Sequence, residues 1–176
     1  MTRRPPRSAT GFAAATALFA IALFMLLGFV ASSNSRNTAR TEFFHATKDQ
    51  MVAQRDLIAN ILVLCRAVYP DGDNGTGFHP SYPATPAAPA YVSALICPKP
   101  GLSIWSGDAS AMQPRQLPGF TPWSYTNDAS SIRIAITANE AGSTFYQNLL
   151  DAVITRIGNS QAVRSGDTLT ITLVSP

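Results

Sequence analysis

Oxygen-bearing side chains are concentrated in one short stretch, DGDNGTG, that begins at Asp71. Asp71, Asp73 and Asn74 could offer oxygen ligands to a calcium ion. A calcium loop of the EF-hand type would carry an acidic or amide residue at Gly75, a glycine at Thr76 and a closing glutamate, and this stretch has none of them. We therefore predict a solvated turn, with the two aspartates and the asparagine as the metal candidate of the chain.

The two cysteines, Cys65 and Cys97, could form a disulfide. Two cysteines that lie beyond an apolar segment and far apart in sequence do not make a metal site, and they are typical of an oxidising compartment and a single bridge. In the chain-entropy model a bridge over a loop of this length stabilises the fold by roughly 3–4 kcal/mol. The alternative is two buried free thiols that pack without meeting.

Residues that could carry catalysis are few and scattered. The two histidines, His45 and His79, are not spaced to share one face of a helix, and no nucleophile-elbow motif is present. We expect Trp105, Trp123 and Tyr125 to be core or edge residues, the alternative being an exposed aromatic patch. We predict that the chain is not an enzyme and needs no cofactor.

The net charge of +3 comes from the N-terminal end of the chain. Arg3, Arg4 and Arg7 lie within the first eleven residues, and the rest of the chain carries as many basic as acidic residues. A surface for nucleic acid needs lysine and arginine clustered on one face. We therefore expect no nucleic acid among the partners.

An apolar segment, residues 12–31, follows this basic end. Its twenty residues would span roughly 30 Å as a helix, which matches a bilayer core, whereas the apolar region of a secretory signal is shorter. Because the preceding residues are the more densely basic flank, they should stay cytoplasmic while the rest is exported. The alternative is a cleaved secretory signal, with Ala31 and Ser33 before a cut at Asn34.

The chain continues beyond the apolar segment without a helix breaker. No proline occurs between Pro6 and Pro70, and Pro70 should end the helix. We predict one helix from about Phe12 to Tyr69, whose second half, residues 32–69, is amphipathic. Its apolar stripe consists of Phe44, Met51, Ile58, Ile61, Leu62, Cys65 and Val68.

A basic leader that ends in Gly11, followed by Phe12 and a long helix, resembles a type IV pilin or pseudopilin. The resemblance implies that residues 1–11 are a leader, that a prepilin peptidase cuts between Gly11 and Phe12, and that the new amine is methylated. It also implies a single span in a bacterial inner membrane, other pilin-like subunits as partners, and a C-terminal domain that is periplasmic or extracellular in a pilus.

The fifth mature position departs from the family pattern. The family usually has a glutamate there, which is thought to pair with the N-terminal amine of a neighbouring subunit, whereas Thr16 carries no charge. The chain could be a minor subunit at a tip, since the tip pseudopilin of type II secretion is similar in lacking this glutamate, or it could belong to a divergent pilin branch. The alternative is a chance Gly11–Phe12 match, in a single-span inner-membrane protein whose periplasmic domain binds a partner in an envelope complex.

The exported part is predicted to be a loop and a head domain. Residues 70–101 are rich in glycine and proline and form a loop with one short strand, Tyr91–Cys97. Residues 102–176 form the head, with a helix at Ser143–Ile157 that Gly158 ends. Its strands are expected at Leu102–Trp105, Trp123–Thr126, Ser131–Ala138, Ala162–Arg164 and Thr168–Val174. The predicted fold class is α+β, in which the long N-terminal helix packs on a small antiparallel sheet.

Overall fold

The computed structural model describes residues 10–68, 79, 81–86, 88–97, 103–105, 112–128 and 130–175. Helix α1, Thr10–Val68, is one uninterrupted element of 59 residues, and its side chains are described at Met25 and from Asn37 onward. The chain divides into two compact units, Met1–Phe44 and His45–Pro176. The second unit contains the last part of α1 and all of the sheet.

In the predicted membrane segment, residues 12–31, the structure describes the helical backbone but, apart from Met25, not the side chains. The predicted leader, residues 1–11, also lies outside it, except for the helical backbone of its last two residues. Over the ranges given above, no helix combines the length and the apolar character that crossing a bilayer requires.

Four strands form one antiparallel sheet, in the spatial order β1-β2-β4-β3. The strands are β1 Ser124–Asn127, β2 Ile132–Thr137, β3 Ala162–Ser165 and β4 Thr168–Val174. A second helix, α2, runs over Thr144–Ile157. The predicted α+β class with a small antiparallel sheet is therefore confirmed, and four of the six predicted strands are present.

Alternation along the two central strands places the core on one face of the sheet. Ile134 and Ile136 of β2 lie opposite Ile171 and Leu169 of β4, and all four are buried. The residues that alternate with the isoleucines of β2, Arg133 and Ala135 among them, point to the other face. Helix α2 adds its own buried residues, Leu149, Leu150 and Val153.

The last part of α1 belongs to the same core. Its buried residues are Met51, Ile58, Leu62 and Cys65. The Trp123 indole N–H donates to Gln54 Oε1 at 2.7 Å, and the Arg55 guanidinium donates to Gln161 Oε1 at 2.6 Å. Because Trp123 precedes β1 and Gln161 precedes β3, these two bonds join α1 to both edge strands.

One end of the predicted apolar stripe is wrong. Val68 is 55% exposed, whereas Cys65 is buried. Three residues turn an α-helix by about 300°, so Val68 lies about 60° away from Cys65 around the axis. This rotation is enough to carry its side chain off the buried face.

Two predicted strands are also wrong. Within the predicted strand Tyr91–Cys97, Val92–Ala94 forms a single 3₁₀ turn, because the N–H groups of Ala94 and Leu95 donate to carbonyls three residues back. Tyr91 and Ile96 make only isolated bridges. Within the predicted strand Leu102–Trp105, the described residues Ile104 and Trp105 lie in a turn after one bridge at Ser103.

The turns that flank the regular elements agree with the prediction. Gly158 ends α2 with φ of 110° and donates its N–H to the carbonyl of Ile154 at 2.7 Å. β3 and β4 form a hairpin in which Ser165 lies opposite Thr168. Gly166, in the two-residue turn between them, has φ of 59°, a conformation that glycine adopts without a steric penalty.

Candidate functional site

A disulfide joins Cys65 near the end of α1 to Cys97. The two Cα atoms are 5.8 Å apart, and both residues are buried. The predicted bridge is thereby confirmed, and the alternative of two free thiols is excluded. The bridge ties the segment that contains the 3₁₀ turn to the helix.

Asn127, at the end of β1, holds a second loop segment, residues 81–86, together with the backbone of His79. Its side chain is buried, and Nδ2 donates to the carbonyls of His79, Tyr82 and Pro83 at 3.2, 3.3 and 2.7 Å. Its Oδ1 accepts the backbone N–H of His79 at 2.8 Å. One amide thus satisfies four backbone groups that have no strand to pair with.

Two neighbouring contacts strengthen the same attachment. The Tyr125 hydroxyl donates to the carbonyl of Pro83 at 2.9 Å, and burial raises the pKa of Tyr125. The Thr85 hydroxyl accepts the N–H of Asn127 at 2.8 Å and donates to its carbonyl at 3.1 Å. The loop segment is therefore fixed on β1 by a network of hydrogen bonds in which every member has a partner.

A groove of about 430 Å³ lies between α1 and the segment 112–118. Its lining residues are Gln50, Gln54, Leu57, Met112, Gln113, Pro114, Arg115, Gln116, Leu117 and Pro118. The Gln54 side chain fixes the wall, because its Nε2 donates to the carbonyl of Arg115 at 2.9 Å while its Oε1 accepts from Trp123. The groove is rich in amide and apolar side chains, and Arg115 is its charged residue.

The acidic groups near α2 are engaged within the fold. Arg164 donates two hydrogen bonds to the Asp151 carboxylate, at 2.6 and 2.9 Å, which lowers the pKa of Asp151 and raises that of Arg164. Asp167 accepts from the Gln147 amide at 3.0 Å and from the Gly142 N–H at 2.8 Å, and these bonds lower its pKa. These carboxylates connect α2 to the β3–β4 hairpin.

The remaining predicted site residues are not tested by this geometry. The calcium candidates Asp71, Asp73 and Asn74 lie outside the described residues. Gly11, Phe12 and Thr16 have helical backbone in α1, and their side chains also lie outside. In the part of the chain that the structure describes, no three His, Cys, Asp or Glu side chains are grouped so that they could hold a metal ion.

The two histidines are placed separately. His45 is exposed on α1, and the ring of His79 packs edge-on against Tyr82 with centroids 4.9 Å apart. Trp105, Trp123 and Tyr125 are all buried, so the prediction of core positions is confirmed for them.

Sequence reasoning missed both the Asn127 contacts and the groove. An asparagine at a strand end is an ordinary residue, and its four backbone partners lie more than forty positions away in the chain. One wall of the groove has the sequence MQPRQLP. Its apolar residues follow neither the spacing of a helix nor that of a strand, so the sequence gives no sign of a structured wall. Comparison of the chain with protein-family models, with curated proteins and with solved structures found no match.

Proposed function

We propose that this chain is a minor type IV pilin-like or pseudopilin subunit, a structural component of a pilus or of a type II-like secretion assembly. The observation that carries the proposal is the continuity of α1. Thr10–Val68 is one helix, and its last part is built into an α+β unit with a four-stranded antiparallel sheet. A long N-terminal helix that ends in a small α+β head is the architecture that the resemblance implies.

In this proposal the N-terminal half of the helix anchors the chain in a bacterial inner membrane. The basic leader stays in the cytoplasm, and prepilin peptidase cuts it between Gly11 and Phe12. The uncharged Thr16 favours a tip or minor position, because it offers no carboxylate to the N-terminal amine of a neighbouring subunit. The disulfide supports export, since disulfides persist in oxidising compartments.

The role of the chain is mechanical rather than catalytic. The helix joins a bundle of like helices, and the head presents its surface to the assembly or to the exterior. Three aspartates of the head, Asp128, Asp151 and Asp167, accept hydrogen bonds from within the fold, which supports a structural role for them.

A second function is favoured by the groove beside α1. A single-span inner-membrane protein that binds a partner in an envelope complex would use such a groove, which has the size of a small-ligand or peptide site. This function requires no cleavage of the leader. The two functions therefore differ in whether the chain is cut after Gly11.

Co-expression with a prepilin peptidase tests the proposal. The full chain is expressed in bacterial membranes with and without the peptidase, and its size is followed through a C-terminal tag. We expect a shorter product only with the peptidase, and none from Gly11→Val. Gly28→Val is the matched control, because it makes the same substitution at another glycine between Pro6 and Pro70, away from the predicted cleavage site. This variant should be processed normally. Full-length chain under every condition would contradict the proposal and favour the partner-binding protein.

A further inference from the structure

The wall of the groove that faces α1 carries backbone groups that the fold does not pair. Residues 114–117 form no helix, strand or turn. The Arg115 carbonyl accepts from Gln54 Nε2, and the Leu117 carbonyl accepts a backbone N–H from the turn that follows. In the described part of the chain, no hydrogen bond reaches the N–H groups of Arg115 and Gln116 or the Gln116 carbonyl. Both residues are exposed, so these groups are open to another chain.

Two prolines favour an extended backbone along this wall. Pro114 has its φ fixed at about −65°, and the residue before a proline is restricted to extended angles. This restriction applies to Gln113 and, before Pro118, to Leu117. An extended, exposed segment with unpaired donors and acceptors is the feature by which a sheet edge takes up an additional strand. The wall is therefore suited to pair with the main chain of a peptide.

The dimensions of the groove fit a short stretch of extended peptide. Along α1 its lining runs from Gln50 to Leu57, which is about 10 Å at about 1.5 Å per residue. An extended chain advances about 3.3 Å per residue, so this length holds about three residues. The volume of about 430 Å³ lies in the range of sites for small molecules and short peptides.

The charge of the groove specifies a group that the peptide must carry. Arg115 is exposed, and none of the described lining residues has a carboxylate. Over the described ranges, the Arg115 guanidinium has no hydrogen bond or ion pair, and neither have the side-chain amides of Gln50 and Gln113. A guanidinium binds a carboxylate with two parallel hydrogen bonds, and amides offer both a donor and an acceptor to a peptide main chain.

The position of Arg115 indicates which carboxylate it would meet. Arg115 is the middle residue of its wall, residues 112–118, and lining residues continue on both sides of it. A bound chain would therefore pass Arg115 rather than end there, which favours an internal aspartate or glutamate over a C-terminal carboxylate. Leu57, Leu117 and Met112, which is 54% exposed, offer apolar contacts to the neighbouring residues of the peptide.

We propose that this groove binds an extended segment of a partner protein in which an internal acidic residue is flanked by apolar residues. The main chain of the segment pairs with the open backbone groups of Arg115 and Gln116, and its carboxylate accepts from the Arg115 guanidinium. The inference goes beyond the pilin-like function and specifies the partner that the second function requires. It holds whether or not the leader is cut.

Peptide arrays probed with the full chain in detergent test the proposal. Each short peptide is acetylated and amidated at its ends and has a central aspartate, with every combination of leucine, valine, methionine and alanine beside it. A matched array has asparagine at the centre. We expect aspartate peptides to bind about tenfold or more tightly than their asparagine counterparts, because a hydrogen bond to a charged group contributes about that much.

Substitutions in the chain test the assigned carboxylate contact. Arg115→Gln should make aspartate and asparagine peptides bind equally, whereas Arg156→Gln, at an exposed arginine of α2, should preserve the difference. Gln50→Glu should weaken the aspartate peptides about tenfold or more, because it brings a carboxylate into the groove. Asn60→Asp is its matched control, since Asn60 is exposed on α1 and is not a lining residue.

A change in the peptide tests the main-chain pairing. N-methylation of the backbone amides beside the aspartate removes their N–H groups and should lower the affinity about tenfold or more. Unchanged affinity would overturn the pairing with residues 114–117. A peptide with central alanine and a free C-terminus that binds more tightly than the aspartate peptides would assign Arg115 to a chain end instead.

The proposal as a whole would be overturned by three outcomes. They are the absence of binding in the aspartate array, equal binding of aspartate and asparagine peptides, and a homodimer that Gln50→Glu dissociates and no peptide displaces. Leader cleavage is read separately from the intact mass of the same preparation. An uncleaved chain that binds the aspartate peptides contradicts the pilin-like function alone, and a cleaved chain that binds none contradicts the peptide groove alone.

Discussion

Asn127 shows how much of this fold depends on one polar side chain. Residues 81–86 form neither a helix nor a strand, so their backbone groups must find partners elsewhere. The buried amide provides four hydrogen bonds to them and to His79. Loss of these bonds would leave buried carbonyls without donors, and such groups are costly.

We predict that Asn127→Ala lowers the free energy of unfolding by about 2–4 kcal/mol. Thr126→Ala is the matched control, since Thr126 is the exposed neighbour on the same strand, and it should change the stability by less than about 0.5 kcal/mol. Urea unfolding of the full chain in detergent can be followed by the fluorescence of Trp105 and Trp123, which are both buried. Equal effects of the two substitutions would contradict the assigned role.

The stability of the head depends on pH in part through Asp128. Hydrogen bonds from the hydroxyl and the N–H of Ser130, with further bonds from Ser131, lower its pKa from 3.8 to about 2. Arg133 also donates to it at 2.5 Å. Because the carboxylate binds its proton less readily in the folded state, it stabilises the fold above the unfolded pKa, and this stability is lost as the pH falls through the folded pKa.

We therefore expect the urea midpoint to fall between about pH 5 and pH 2. Asp128→Asn should show a smaller fall over the same range, because its side chain does not titrate. The fall in the urea midpoint that remains in this variant is assigned to Asp151 and Asp167, whose pKa values are also lowered. Identical slopes for the variant and the wild type would show that Asp128 is not responsible.

At the scale of elements, the turn before β1 packs closely on α2. Gly119 has φ of 82°, and a Cβ at this position would overlap the hydroxyl and ring of Tyr146. Tyr146 also packs edge-on against Phe120, with ring centroids 5.1 Å apart. The turn therefore requires glycine both for its backbone conformation and for the space that Tyr146 occupies.

Gly119→Ala should accordingly destabilise the chain more than Gly142→Ala. Gly142 has a similar φ of 72°, but no atom lies within 4 Å of the added Cβ. The difference between the two variants isolates the overlap with Tyr146, and we expect it to be about 1–3 kcal/mol in thermal or urea unfolding. Equal losses would mean that Tyr146 moves away without cost.

Several elements could be predicted from the sequence because their local pattern and their tertiary environment agree. Ile132, Ile134 and Ile136 alternate with more polar residues, and this is the pattern of a strand with one buried face. Gly158 follows the apolar stripe of α2 and ends it. The hairpin of β3 and β4 has glycine at the turn position that needs positive φ.

Other elements could not be predicted, since their partners are distant in the chain. Residues 91–97 contain enough apolar side chains for a strand, but Val92 donates its N–H to the carbonyl of Trp123, and a 3₁₀ turn follows. The groove depends on Gln54 meeting Arg115 across 61 positions. Local periodicity carries no information on such contacts.

At the scale of the whole molecule, one helix runs through both compact units. The head unit is stabilised by the disulfide and by the contacts of α1 with both edges of the sheet. The proposed function makes its sharpest prediction at the other end of the chain, where cleavage is expected between Gly11 and Phe12.

The intact mass of the protein from a native membrane fraction tests the central claim most directly. We predict a mass that corresponds to a chain beginning at Phe12, with the increment of one methyl group on its amine and the loss of two hydrogens for the disulfide. A chain that begins at Asn34 would indicate a secreted protein with a cleaved signal. A chain that keeps Met1 or Thr2 would contradict the pilin-like function and leave the anchored partner-binding protein as the better account.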